Sequence, residues 1–321
     1  MPYKSCPILE HGIMFTQENV RNCCMYYTKD DDNVLFPKYF ADKEFSLDNI
    51  IKKKRELREN IKKGIFPKGC INCHGIEEQD WDNDDYINVI FISHWTKCNC
   101  NCFYCYYDYN KKFFQHFKHK PLLPVLKEMK KKNLIRNSGY VAITGGEIGE
   151  LKEFDDILNL CLDIDFHSIV INSSCIKYRK CIEKGLKKDK IEFTVSLDAG
   201  DKELYKKIKR MNAFDKVVKH IKQYVNAQGD NKYNVRVKYI ILPEVNDTIE
   251  QLDKWINLCI DIGVRHIILD IETSYFVANQ HNIPKHIYDM IAYAENKAKE
   301  KNLKISYYAH ALQLKHDLND K

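Results

Sequence analysis

Four cysteines fall within eight residues in the run Cys98-Asn99-Cys100-Asn101-Cys102-Phe103-Tyr104-Cys105. Thiolates at the C-x3-C-x2-C spacing of Cys98, Cys102 and Cys105 can wrap three irons of a [4Fe–4S] cube and leave the fourth iron open to a substrate. Clusters that only carry electrons have every iron ligated by protein, so an open iron points to chemistry at the cluster itself. Cys100 permits a second register, Cys100, Cys102 and Cys105. The Cys98-Asn99 opening and Tyr104 directly before Cys105 favour Cys98 as first ligand and make Cys100 a bystander. A structural zinc knot is the competing reading, but its ligands come as C-x2-C pairs rather than as a lone triple.

About forty residues later the chain reads Thr144-Gly145-Gly146-Glu147. Glycines remove side chains where a backbone must approach a ligand closely. A glutamate there can meet an ammonium in a charge-assisted hydrogen bond. Without the cysteines the same tetrapeptide reads as an ordinary strand-to-helix turn.

Taken together, Cys98-x3-Cys102-x-Tyr104-Cys105 and Gly145-Gly146-Glu147 are similar to the signature of the radical S-adenosylmethionine (SAM) superfamily, over roughly residues 87–301. The resemblance implies a [4Fe–4S] cluster whose open iron is chelated by the amino and carboxylate groups of SAM. An electron from the reduced cluster then splits SAM into methionine and a 5′-deoxyadenosyl radical, which takes hydrogen from a substrate. It also implies site roles. Gly145, Gly146 and Glu147 would bind the methionine end, and Tyr104 would pack on adenine. Asn172, Ser196 and Asp198 would serve ribose and the methionine carboxylate, and Asn246 would contact adenosine. The last four also read as helix caps or turn residues. His94, Cys161, Cys181 and Cys259 read as structural.

A second set of thiols, Cys6, the pair Cys23-Cys24, and Cys70-x2-Cys73, lies outside that region. It resembles the auxiliary-cluster elements called SPASM or twitch domains, although those follow the core and this set precedes it. Four thiolates suit a second, fully ligated [4Fe–4S] cluster, with a zinc ion as the alternative. Side chains alternate along a strand, so one of Cys23 and Cys24 would face the site.

The elements that must position these residues change character near residue 86. Before it, Ile8–Phe15 and Val20–Tyr27 read as two strands, and Ser46 caps a helix with Leu47, Ile50, Ile51, Leu57 and Ile61 on one stripe and Gly64 as its stop. After it come six nearly continuous apolar strands, Ile87–Ser93, Tyr140–Thr144, Ser168–Asn172, Glu192–Leu197, Val235–Leu242 and His266–Ile271. Helical stretches alternate with them: Leu122–Lys132, Glu153–Leu162, Ile176–Gly185, Lys202–Val225, Thr248–Ile262 and Pro284–Lys301. The expectation is an α/β protein: a cysteine-rich α+β domain over residues 1–86, then a partial (β/α)6 TIM barrel over 87–321, the radical SAM core.

Composition sets the remaining bounds. The 321 residues are 44% hydrophobic and 30% charged, ordinary for a soluble globular protein. Thirteen cysteines, an odd number, point to metal ligands in a reducing compartment rather than to disulfides. No apolar run reaches membrane-span length and no signal peptide is visible, so a cytoplasmic location and no membrane partner are expected. The net charge of +6 is spread over helices such as Lys52–Lys63 and Lys202–Lys209, which read as solvated faces rather than a nucleic-acid surface. It also suits an acidic electron donor such as flavodoxin or ferredoxin. The expected activity is radical modification of a peptide or protein, with a sugar, nucleotide or other small metabolite as the alternative substrate. A non-catalytic iron–sulfur carrier is a minor third reading.

Overall fold

A proline and a thiol decide how the chain begins. In the computed structural model, β1 (Tyr3–Ser5) ends at Cys6, whose Sγ accepts the Leu9 amide at 3.4 Å, and Pro7 opens α1 (Pro7–His11). Residues 8–11, expected to begin a strand, are therefore helical, and only Gly12–Thr16 extends as β2. β3 (Val20–Arg21) returns antiparallel to β2, as expected of the hairpin, with Met14 opposite Arg21. The structure describes residues 2–23, 34–36, 45–71, 73, 75–82, 84–105, 121–279 and 282–319, so Cys24 and the rest of the second expected strand lie outside the described residues.

β4 (Val34–Phe36) pairs antiparallel with β3. α2 (Leu47–Lys62) starts where Ser46 Oγ accepts the Asn49 amide at 3.2 Å, and Gly64 follows it at φ +78°. Its buried stripe holds Leu47, Ile50, Ile51 and Ile61 as expected, together with two cations, Lys54 and Arg58. Lys54 Nζ donates to Leu9 O at 3.0 Å, Gly12 O at 2.8 Å and Asn22 Oδ1 at 3.1 Å, and Arg58 Nε lies 3.0 Å from Glu10. The lysines of Lys52–Lys63 are expected on a solvated face, and Lys54 departs from that. Lys54 lies four residues from Ile50 and Arg58 seven from Ile51, spacings that put both on the inner one.

The other elements follow in order: β5 (Glu77–Gln79), β6 (Ile87–Ser93), α3 (Leu123–Lys131), β7 (Ile135–Ile143), α4 (Phe154–Ile164), β8 (Ser168–Ser173) and α5 (Lys180–Lys187). Then come β9 (Ile191–Ser196), α6 (Lys202–Lys209), α7 (Phe214–Ala227), β10 (Val235–Ile241), α8 (Ile249–Asp261), β11 (His266–Ile271) and α9 (Thr273–Asn279). α10 (Lys285–Glu300), β12 (Lys304–Tyr307) and α11 (Ala309–Asn319) close the described chain. The fold is α/β with a mostly parallel sheet, and the strand–helix succession from β6 onward is the one expected of a partial barrel. The single helix expected over 202–225 is two, because Arg210 sits at φ +53° and breaks it. β12 is an addition; its Lys-Ile-Ser-Tyr sequence is too short and polar to stand out as a strand.

Residues 1–97 and 112–170 form one unit, residues 98–111 and 171–321 another. In the first, β6 pairs in parallel with β7 on one side and with β2 on the other, Gly12 opposite Val89 and Thr16 opposite Ser93. The expected boundary after residue 86 thus falls inside this unit. β1 and β5 make a separate antiparallel pair. In the second unit, β9, β10, β11 and β12 run parallel in that order. Among the described residues, no helix is long and apolar enough to cross a membrane.

Candidate active site

Parallel strands send their C-terminal loops out at the same end, and in the first unit β6 and β7 place residues 94–97 beside 144–147. Gly146 N donates to Trp95 O at 2.7 Å and Glu147 N to Lys97 O at 2.8 Å, while Trp95 Nε1 donates to Glu147 O at 3.0 Å. Lys97 is the residue directly before Cys98. A Cβ at Gly145, where φ is +129°, would stand 2.3 Å from Trp95 O, and one at Gly146 would stand 2.3 Å from Lys97 O. The backbone that the two glycines admit is therefore that of Trp95–Lys97. Glu147 is 1% exposed, and its Oε1 caps the following turn by accepting the Gly149 amide at 2.9 Å. His94 faces Glu153 at 3.2 Å, and Glu153 in turn accepts the Leu122 amide at 2.8 Å at the start of α3. Burial alone would push the Glu153 carboxyl up; those bonds hold it below the usual carboxylate range.

In the second unit the cysteine loop is tied to a buried ion pair. Lys209, the last residue of α6, is 2% exposed and Asp198, just past β9, is 0% exposed; their side chains pair directly. Tyr104 OH donates to Asp198 Oδ2 at 2.5 Å and accepts from Lys209 Nζ at 2.8 Å, and Asn101 N donates to Lys209 O at 3.2 Å. Asp198 Oδ1 accepts the Ile240 amide at 2.9 Å. Burial would lower the Lys209 pKa, but Asp198, then Tyr104 and Cys102, hold the ammonium well above its ordinary range.

Cys98 is exposed, and Cys100, Cys102 and Cys105 are half-buried. Hydrogen bonding with Cys102 and Cys98 pushes the Cys100 thiol up, and its sulfur lies 3.4 Å from Met211 Sδ. The Cys102 thiol is brought down to about 7, first by the Cys100 hydrogen bond and then by Lys209, against burial. Asn246 is fully buried and wholly engaged: Nδ2 donates to Asp198 O at 3.1 Å and Ile240 O at 2.9 Å, and Oδ1 accepts the Leu242 amide at 2.6 Å. Asn172 differs, since its buried Oδ1 has no hydrogen-bond partner among the described residues. Ser196 is half-buried at the end of β9.

The N-terminal thiols gather within the first unit. Cys6 and Cys70 share an apolar cluster with Leu9 and Ile61. Burial pushes the Cys6 thiol up, and the nearby Cys23 and Cys73 add to that. Cys161, Cys181 and Cys259 are buried within helices, as expected. Among the described residues, no three His, Cys, Asp or Glu side chains are drawn to the distances that hold a metal ion.

Residues 92–256 match the family model described as "Radical SAM superfamily". The chain belongs to this superfamily. It is 25% identical over 220 residues to the probable GTP 3',8-cyclase of Methanocaldococcus jannaschii, covering 68% of each chain. Its fold is similar to that of SuiB from Streptococcus suis bound to S-adenosylmethionine, with a TM-score of 0.55 and 14% identity over 84% of this chain. The chain spans 58% of the length of SuiB in that structure. SuiB bound to its precursor peptide SuiA matches with a TM-score of 0.53 and 14% identity over 88% of this chain and 71% of that one. The radical SAM superfamily uses a [4Fe–4S] cluster and SAM, so this chain is an enzyme rather than a bare electron carrier. Two observations fit those groups. The donor set of the loop is three thiols, one of them already biased toward the thiolate form that binds metal. The orphaned Asn172 Oδ1 is a buried acceptor still in need of a donor, such as a ribose hydroxyl.

Sequence reasoning missed Lys209. It stands in the run Lys206-Lys207-Ile208-Lys209, and the one signal was its spacing of four residues from the buried Tyr205.

Proposed function

We propose that this radical SAM enzyme modifies a peptide or protein, with Cys98, Cys102 and Cys105 holding the SAM-binding [4Fe–4S] cluster. The reading is carried by the cysteine loop, fastened through Tyr104 and Asn101 to the buried Lys209–Asp198 pair with the Cys102 thiol lowered to about 7. Held on Cys98, Cys102 and Cys105, the cluster with SAM would supply reductive radical chemistry capable of removing hydrogen from a substrate. The chain's own residues position these partners. Lys209 favours the Cys102 thiolate, and Asp198 and Lys209 fix Tyr104 beside it. Glu147 offers a carboxylate to the methionine ammonium, with Gly145 and Gly146 shaping its turn. Asn172 and Ser196 offer an acceptor and a hydroxyl to the ribose, and Asn246 holds the Asp198 loop in place. A flavodoxin or ferredoxin is the proposed electron donor.

The peptide substrate is supported by the precursor peptide SuiA on SuiB. The GTP cyclase relative supports the second reading, a nucleotide or other small metabolite. Mass spectrometry of peptides and metabolites from cells with and without the gene decides between them. A mass change confined to a peptide, with 5′-deoxyadenosine formed in equal amount, is the expected outcome; a changed metabolite with unchanged peptides gives the second reading.

We further propose that residues 1–86 carry an auxiliary [4Fe–4S] cluster on Cys6, Cys70, Cys73 and one of Cys23 and Cys24, with zinc as the alternative. The proximity of Cys6 to Cys23 and Cys73 supports it.

A further inference from the structure

The strands of the second unit have two unlike faces. Val235, Val237, Tyr239 and Ile241 of β10 are all 0% exposed and belong to the apolar core. The register of β9 to β12 places polar residues on the other face: Ser196, Arg236, Lys238, His266, Asp270 and Ser306. Most of these are already partnered. Arg236 pairs with Glu192. His266 bonds to Tyr233 O at 3.2 Å and to Ser306 Oγ at 2.8 Å, and Asp270 accepts the Ile271 amide at 2.9 Å.

Among the charged side chains of this face, Lys238 is the exception. It is half-buried, and among the described residues its ammonium makes no hydrogen bond or ion pair; Nζ lies 5.4 Å from the centroid of the Tyr308 ring. Burial pulls its pKa below the ordinary lysine range, against the opposing pull of Asp198 and Asp270. An ammonium withdrawn from water without an acceptor is unfavourable, and an arriving anion removes that penalty. Its position suits the reaction, because the Lys238 carbonyl accepts the Leu197 and Asp198 amides at 3.2 Å each, at the level of the pair that fastens the cysteine loop.

We propose that Lys238 is the anion-recognition residue of the substrate site, taking a carboxylate or phosphate group of the substrate through its ammonium. The inference rests on the reading that this face receives the substrate. An acidic side chain of a peptide brings the carboxylate; a small metabolite brings the phosphate.

Isothermal titration of the cluster-reconstituted chain, without turnover, tests it with two probes, glutarate for the carboxylate and inorganic pyrophosphate for the phosphate. Saturable binding of at least one probe is expected, weakened by about tenfold or more in Lys238→Gln and retained in Lys238→Arg. If Lys238→Gln misfolds, Lys238→Met, of similar length and apolar, carries the same comparison. Binding of glutarate alone identifies a carboxylate substrate, and binding of pyrophosphate alone a phosphate one. Absence of saturable binding to either probe overturns the proposal, as does equal binding by the uncharged variants. Loss of probe binding when SAM is saturating also overturns it, since Lys238 would then serve SAM. None of these results depends on which substrate is turned over, so failure here and failure of the peptide reading are separate findings.

Discussion

Lys209 and Asp198 form a salt bridge whose side chains are 2% and 0% exposed, and the hydroxyl of Tyr104, one residue before Cys105, bonds to both. The loop that carries the cysteines is thereby fixed to the ends of β9 and α6. Removing one partner of a buried pair is far more damaging than removing an exposed one, because the other charge is left without compensation.

Lys209→Met is therefore expected to lose roughly 3–5 kcal/mol of stability by urea unfolding. The double variant Asp198→Asn with Lys209→Met should recover part of that loss, since no lone charge remains. A single variant within about 1 kcal/mol of wild type contradicts the buried pair.

Anaerobically reconstituted protein with dithionite is expected to convert SAM to 5′-deoxyadenosine and methionine. The triple Cys98, Cys102 and Cys105 changed to alanine should abolish this. Cys100→Ala should largely preserve it, because Cys100 Sγ is engaged with Met211 Sδ at 3.4 Å and lies outside the ligand triple. Chromatography of the products reads both results; an inactive Cys100→Ala beside an active Cys98→Ala reverses the ligand register.

Glu147→Gln should retain an oxygen able to cap Gly149 while losing the charge. SAM affinity is expected to fall about ten- to a hundredfold, with stability changed by less than about 1 kcal/mol. Titration of SAM against the electron paramagnetic resonance signal of the reduced cluster measures the first, and urea unfolding the second. Unchanged affinity leaves Glu147 as a turn cap only.

A variant lacking Cys98, Cys102 and Cys105 isolates the N-terminal thiols. It is expected to retain about four irons and four sulfides per chain, with a charge-transfer absorption that bleaches on reduction. One zinc and no sulfide makes the site structural.

His266 is 2% exposed, and burial, then Arg236, lowers its pKa to about 4. Unfolded, the imidazole titrates near 6.5, so between these values the unfolded chain binds more protons than the folded one. Its contribution is complete above about pH 6.5 and is lost as pH falls toward 4. Urea unfolding of the cluster-free chain at pH 7 and pH 5 should show the fall, and His266→Gln should show less of it.

Much of the fold and the reactive thiols could be read from order and spacing alone. Apolar runs such as Val235–Ile241 and the cap at Ser46 act over a few residues, and so do the Cys98-x3-Cys102-x2-Cys105 spacing and the Gly145-Gly146-Glu147 turn. Local backbone preference and side-chain period are encoded within that span. What surrounds a charge is not. Lys54, Lys209 and Lys238 look in sequence like any other lysine, yet one is clamped by Leu9, Gly12 and Asn22, one by Asp198, and one makes no hydrogen bond or ion pair among the described residues. Gly145 and Gly146 announced a close approach, but only the tertiary structure named Trp95 and Lys97 as the approaching backbone. Burial and pairing depend on partners brought together from distant parts of the chain. The sequence by itself determined which chemistry the chain carries; the tertiary structure decided which charges are satisfied and which are left for a ligand.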